Sequence, residues 1–150
     1  MEIKDFNHKI DEVVKFHEVD LMGICNNAVY FNYFEDARVK YLKDLKKNYQ
    51  LDEIMEDDSF FIMAHNECDY IIPAHFDEEL IVYTRITEIR NSSFDFVHLI
   101  VNKKSYETIA VGSGVLVHIN MKTKKSMALP NEFYEAVEDY EKGVNINKNS

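Results

Sequence analysis

Asn27-Ala28-Val29-Tyr30-Phe31-Asn32-Tyr33-Phe34-Glu35-Asp36-Ala37-Arg38-Val39-Lys40-Tyr41-Leu42-Lys43-Asp44-Leu45-Lys46-Lys47 is the stretch on which the fold turns. Tyr30, Phe34, Ala37, Tyr41 and Leu45 recur at helical steps, while Glu35, Asp36, Lys40, Lys43, Asp44, Lys46 and Lys47 are charged. That periodicity predicts one long amphipathic helix with a broad buried face. Asn26 and Asn27 suit its amino-terminal cap, and Lys43, Lys46 and Lys47 suit the negative end of its dipole.

Working outward, Ile10, Val13, Val14 and Phe16 predict a strand over residues 9–16 on the amino-terminal side. Beyond an acidic turn at Glu53 to Asp58 the period changes, and strands are expected over residues 60–72, 79–90, 93–103 and 108–121. In the last of these, Ile109, Val111, Val115, Val117 and Ile119 read as one apolar face interrupted by Ser113. Gly112 and Gly114 point there to close backbone packing, because a continuing strand cannot form a nucleophile elbow or a dinucleotide loop. A short helix over residues 131–140 follows Pro130, and the polar residues 143–150 are expected to fray. Strand, long helix, then a run of antiparallel strands is an α+β order in which a curved antiparallel sheet wraps one central helix, the hot-dog arrangement. The helix covers one face only, so the other face and an edge call for self-association.

With 150 residues, 46% hydrophobic and 29% charged, the chain suits a single globular domain over residues 1–150. Its 17 Lys and Arg against 27 Asp and Glu leave a net charge of −10, which argues against nucleic acid as a partner. Cys25 and Cys68 are expected as free thiols, no signal-peptide pattern opens the chain, and no apolar run is long enough to insert in a membrane. The expected location is the cytoplasm.

Chemistry concentrates just before the helix, in Phe16-His17-Glu18-Val19-Asp20-Leu21-Met22-Gly23-Ile24-Cys25-Asn26-Asn27. A carboxylate and a glycine share a turn that leads into a helix amino terminus, where unpaired amides stabilise negative charge. A thioester carbonyl aimed at those amides would have its tetrahedral oxyanion stabilised, and Asp20 would stand ready as nucleophile or as base for water. Read from spacing alone, Asp20 is first an ordinary turn cap.

The pattern Asp20-x-x-Gly23, Asn27-Ala28-x-Tyr30, Phe34-Glu35-x-Ala37-Arg38 resembles the hot-dog acyl-CoA thioesterases of the hydroxybenzoyl-CoA thioesterase superfamily, including those associated with the bacterial Tol-Pal system. The similarity continues through Tyr70-Ile71-Ile72-Pro73-Ala74, Arg90-Asn91-Ser92-Ser93-Phe94, Gly112-Ser113-Gly114 and Met127-Ala128-Leu129-Pro130. The resemblance implies an acyl-CoA thioesterase with Asp20 as the catalytic carboxylate and the backbone amide of Asn27 polarising the thioester. Relatives carry His or Tyr where this chain has Asn27, which leaves substrate preference open, although any residue but proline supplies the amide. The resemblance further implies Gly23 and Tyr30 at the substrate, and His65 and Asn66 in the acyl pocket from one subunit or its partner. Arg90, Ser92 and Ser93 would meet the CoA phosphates. It implies a homodimer, assembled as a dimer of dimers, with no cofactor beyond the coenzyme A of the substrate. Two alternatives stand beside it: an acyl-acyl-carrier-protein thioesterase and a non-catalytic acyl-CoA-binding protein. The plant carrier-protein enzymes resemble the Asn26-Asn27-Ala28-Val29-Tyr30 run, but Met22 and Ile24 replace their catalytic Asn and His.

Other candidates carry less. His65 and Glu67 on one face of an extended strand and Cys68 on the other do not make a metal site. Cys25 has no paired histidine base and reads as a small buried thiol, and Glu35 reads as a partner of Arg38 or a pocket wall rather than the catalytic acid.

Overall fold

The computed structural model describes residues 1–149. Its elements are β1 (His8–Val13), α1 (Val29–Tyr49), β2 (Ser59–Tyr70), β3 (Glu79–Ile89), β4 (Ser93–Asn102), β5 (Thr108–Asn120), α2 (Asn131–Tyr140) and β6 (Asn145–Ile146). The sheet runs β1-β3-β4-β5-β2 with antiparallel neighbours, and β6 pairs in parallel with the end of β3. α1 packs against β1 and β2, the two edges, as well as against β3, so the sheet curls around the helix in the expected hot-dog arrangement. No helix among the described residues is long and apolar enough to cross a membrane.

The apolar stripe of α1 is buried as its spacing requires, with Tyr33, Phe34, Ala37 and Tyr41 almost fully enclosed. One half of the core gathers Tyr41, Ile86, Phe94 and Phe133, the other Tyr33, Phe34, Leu80 and Ile100. On the opposite face of the sheet, Phe6 covers Tyr83, Leu99 and Val101.

Boundaries moved where local bonds decided them. The first strand ends at Val13, and Phe16 falls in a one-turn helix, Phe16–Glu18, with its ring edge-on to Phe76 at 5.7 Å. α1 starts at Val29 with Ala28 at the cap position and no side-chain cap bond; ahead of it Asn26 forms an Asx turn, its side-chain oxygen accepting the Ala28 amide at 3.0 Å and its carbonyl the Val29 amide at 2.9 Å. The Asn27 side chain makes no cap bond. Lys46 reaches past the helix end to the carbonyls of Leu51 and Ile54, at 2.7 and 2.8 Å. Within the polar tail, whose last residue, Ser150, lies outside the described residues, Asn145 and Ile146 form β6 and the Asn147 amide donates to Ile89 at 2.8 Å.

The single apolar face expected for β5 divides, Ile109 and Ile119 being buried and the valines between them not. Ala110, Gly112, Gly114, Leu116 and His118 face the helix, whereas Val111, Ser113, Val115 and Val117 lie half-exposed on the outer face. The cause is the proximity of α1: a Cβ on Gly112 would stand 2.3 Å from the Phe34 ring. Glycine is selected where the helix touches, and the β-branched residues are displaced to the other side.

Between β1 and α1, the Glu12 carboxyl has one oxygen buried without a partner. Burial, and next the neighbouring Asp36 carboxylate, push its pKa up to about 7. An unfolded glutamate releases its proton near 4.5, so between there and about 7 the folded chain holds more protons than the unfolded one. Stability therefore falls as pH rises through that window. Thermal unfolding scans from pH 4.5 to 7.5 should show that decline in the wild type and a flatter profile in Glu12→Gln; parallel profiles would refute it.

Candidate active site

Residues 19–25 form a small hairpin. The Asp20 amide donates to Ile24 at 2.9 Å, the Gly23 amide donates to Asp20 at 3.0 Å, and Val19 bridges Cys25. Gly23 sits at φ 75, a conformation that disfavours residues with a Cβ. The Asp20 carboxylate accepts the Met22 amide at 2.8 Å, so the turn-cap role is present. The side chain remains exposed, which leaves it free to meet a substrate as well. The hairpin is docked from behind, the Cys25 amide donating to Ala74 at 2.7 Å and the Phe76 amide to Gly23 at 3.1 Å.

Its return arm leads directly into α1. There the amides of Asn26, Ala28 and Val29 all donate within the protein, whereas the Asn27 and Tyr30 N–H groups meet no acceptor among the described residues. Asn27 borders an open groove of about 280 Å³ whose lining includes Ile24, Cys25, Tyr30, Tyr70, Ile71 and Pro73. The groove is chiefly apolar, with free amides of Asn27 and Tyr30 at the helix amino terminus and a carboxylate on the adjoining turn.

Tyr30 is a wall of this groove rather than a projecting group. It is buried, its hydroxyl accepts the Ala74 amide at 3.3 Å, and burial pushes its pKa up to about 12. Tyr70 was not singled out from sequence, yet its hydroxyl donates to the Asn27 carbonyl at 2.9 Å and its ring stands edge-on to Tyr30 at 5.3 Å. The run Tyr70-Ile71-Ile72-Pro73 at the strand end was the available signal, but its path back to the helix start is a tertiary fact. Cys25 is buried and its thiol is pushed up by burial, so it is not poised as a thiolate.

The remaining candidates lie elsewhere. His65 faces Val115 on the outer side of the sheet, with Glu67 at 3.5 Å, while Asn66 faces Gly114 on the helix side. Neither reaches the groove within this chain. Arg90 is committed to its own hairpin: Nε donates to Ser93 at 2.8 Å, Nη1 to Glu88 at 2.7 Å, and Nη2 to Asp95. A phosphate would have to compete with two carboxylates for this guanidinium. Ser92 offers its carbonyl to the His118 amide at 2.8 Å. Arg38 is buried with Glu35 at 4.0 Å, and both border a second, apolar cavity of about 320 Å³ with Leu42, Phe61 and Met63. Among the described residues no three His, Cys, Asp or Glu side chains group as metal ligands.

Residues 14–137 match the model of a family described as the thioesterase-like superfamily. YsmA of Bacillus subtilis (strain 168) is 28% identical over 124 residues, covering 83% of this chain and 80% of that protein. The acyl-CoA thioester hydrolase YbgC of Escherichia coli O6:H1 is 27% identical over 92 residues, covering 61% of this chain and 67% of its own. Among solved structures, a thioesterase from Thermus thermophilus, complexed with coenzyme A and Zn, superposes with a TM-score of 0.74 at 27% identity, covering 92% of this chain and 97% of that one.

Proposed function

The chain belongs to the thioesterase-like superfamily, and from that membership we propose that it hydrolyses acyl-CoA thioesters to free acid and coenzyme A, with Asp20 as the catalytic carboxylate. The observation that carries this reading is that Asn27, whose amide has no partner among the described residues, lines an apolar groove whose other wall is the return arm of the Asp20 turn.

The thioester oxygen accepts the Asn27 N–H, which stabilises the charge that develops on it as the carbonyl carbon becomes tetrahedral. In one route an Asp20 oxygen attacks that carbon, the C–S bond breaks, the CoA thiolate leaves, and water then cleaves the acyl-aspartyl anhydride. In the other, Asp20 takes a proton from the attacking water and the same C–S bond breaks. Gly23 keeps the turn tight, and Tyr30 and Tyr70 shape the groove that receives the first carbons of the acyl group.

The reading includes a homodimer. β2 is an edge strand of 12 residues with Phe60, Ile62 and Tyr70 exposed along it, a liability that pairing with a second copy removes. His65 and Asn66 lie at the middle of that edge, so their part in a pocket comes with the dimer. The uncovered outer face with Val111, Val115 and Val117 suits a further pairing of dimers.

The test is thiol release from acetyl-, hexanoyl-, palmitoyl- and benzoyl-CoA. Turnover of at least one ester is expected, and Asn27→Ala should keep kcat within about 3-fold, because the donor is the backbone. No release from any of the four, with release from an acyl-carrier-protein ester, would move the reading to carrier-protein substrates. No release from either would leave a binding protein.

A further inference from the structure

The proposed base and the proposed oxyanion donor lie on different elements, Asp20 on an exposed hairpin and Asn27 at the start of α1, so their separation depends on what ties one to the other. Glu18 is only 9% exposed and stands at the base of the hairpin. Its Oε1 accepts the Tyr33 hydroxyl at 2.9 Å and the Lys15 amide at 2.8 Å. Its carbonyl accepts the Asn26 amide at 2.8 Å, one residue before the proposed donor. Tyr33 belongs to the second turn of α1 and is 1% exposed, so this end of the tie is embedded in the core. One residue therefore holds the helix body by its side chain and the helix entrance by its main chain, two positions before Asp20.

We propose that Glu18, acting through Tyr33, is a positioning residue that sets the Asp20 carboxylate against the Asn27 amide. This rests on the thioesterase reading above and adds to it. The bond is a charge-assisted one between a carboxylate and a neutral phenol, and burial together with Glu18 keeps the Tyr33 proton in place by raising its pKa. Neither group touches the groove, since neither is among its lining residues. Their effect on rate is through geometry, where a displacement of about 1 Å can cost about 100-fold.

The test is steady-state kinetics on the best ester of the CoA panel, with circular dichroism and thermal unfolding run on every variant. Tyr33→Phe, which removes one hydroxyl and keeps the ring, should lower kcat by about 30- to 100-fold with KM within about 3-fold. Glu18→Ala should match it, while Glu18→Gln, which keeps an acceptor oxygen for the same two donors, should stay within about 5-fold of wild type. In an Asp20→Asn background Tyr33→Phe should add less than about 2-fold, because there is no longer a base to misplace. The assignment is overturned if Tyr33→Phe keeps the wild-type kcat, if its loss persists in the Asp20→Asn background, or if Glu18→Gln is as slow as Glu18→Ala. A wild type that releases no thiol removes the thioesterase reading and the assignment together. A wild type that depends on Asp20 but not on Tyr33 removes the assignment alone.

Discussion

Asp20→Asn is expected to lower kcat for acyl-CoA hydrolysis by about 10³-fold, within the range that a positioned general base contributes. That corresponds to about 4 kcal/mol of transition-state stabilisation. Asparagine has the same shape, and its side-chain oxygen still accepts the Met22 amide that Asp20 accepts at 2.8 Å. The turn therefore survives, and unfolding stability should stay within about 0.5 kcal/mol of wild type. What is lost is the capacity to take a proton from water or to form an anhydride. Asp20→Ala provides the contrast, because it removes the turn bond as well and should cost about 1 kcal/mol on top of the same kinetic loss. Thiol release and denaturant unfolding, measured together on both variants, separate the two roles of this side chain. An Asp20→Asn protein with undiminished kcat would leave Asp20 as a turn cap and nothing more.

Gly112→Ala should be among the most destabilising single-methyl additions in the chain. The new Cβ would lie 2.3 Å from two atoms of the Phe34 ring. That ring is fully buried and stacked on His98, centroids 4.7 Å apart and planes within 7°, so it has no free direction to move. Overpacking of this kind costs about 1–3 kcal/mol, and the upper end applies where both neighbours are rigid. For a chain of this size, about 3 kcal/mol lowers Tm by roughly 6–12 °C. Gly114→Ala makes a useful control. Its closest neighbour is the Met63 methyl at 2.3 Å, the far end of a flexible side chain, although the His65 carbonyl at 3.1 Å sets a limit. A cost of about 1 kcal/mol is expected there. Phe34→Leu should recover part of the Gly112→Ala loss by vacating the ring edge. Calorimetry on the four variants decides it, and a Gly112→Ala Tm within about 2 °C of wild type would mean that the helix can lift from the sheet at little cost.

Both effects come from the same feature, a helix packed tightly across a sheet with its amino terminus left open at one end. Close contact with the sheet holds α1 rigid, and the open end presents an amide beside a turn whose return arm is bonded to the segment at Ala74 to Phe76. Through Glu18 and Tyr33, rigidity in the core becomes precision at the site.

The periodicity of Tyr30, Phe34, Ala37, Tyr41 and Leu45 and the four β-rich segments after Asp58 were enough to read the architecture from sequence, because burial on one face imposes a period on any chain. The Asp20-x-x-Gly23 turn and its place before the helix were equally visible, since turn and cap chemistry is local. Three features were hidden, each depending on what lies across a gap. The side of β5 that faces the helix was not given by the spacing of its valines, because contact with Phe34 admits only glycine at position 112. The partners of Arg90 were not visible in sequence, because the antiparallel pairing of β3 with β4 sets Glu88 opposite Asp95 and places the guanidinium between them. Tyr70 reaches the groove because β2 returns to the start of α1, and Glu18 meets Tyr33 because the hairpin folds onto the second turn of that helix. Sequence alone determined which segments are helix or strand and where the carboxylate turn lies, since those follow from short-range sterics and burial. Tertiary structure alone decided which donors stay unpaired and which charges are already spent, because a hydrogen bond is settled by the few ångströms between groups that are distant in the chain.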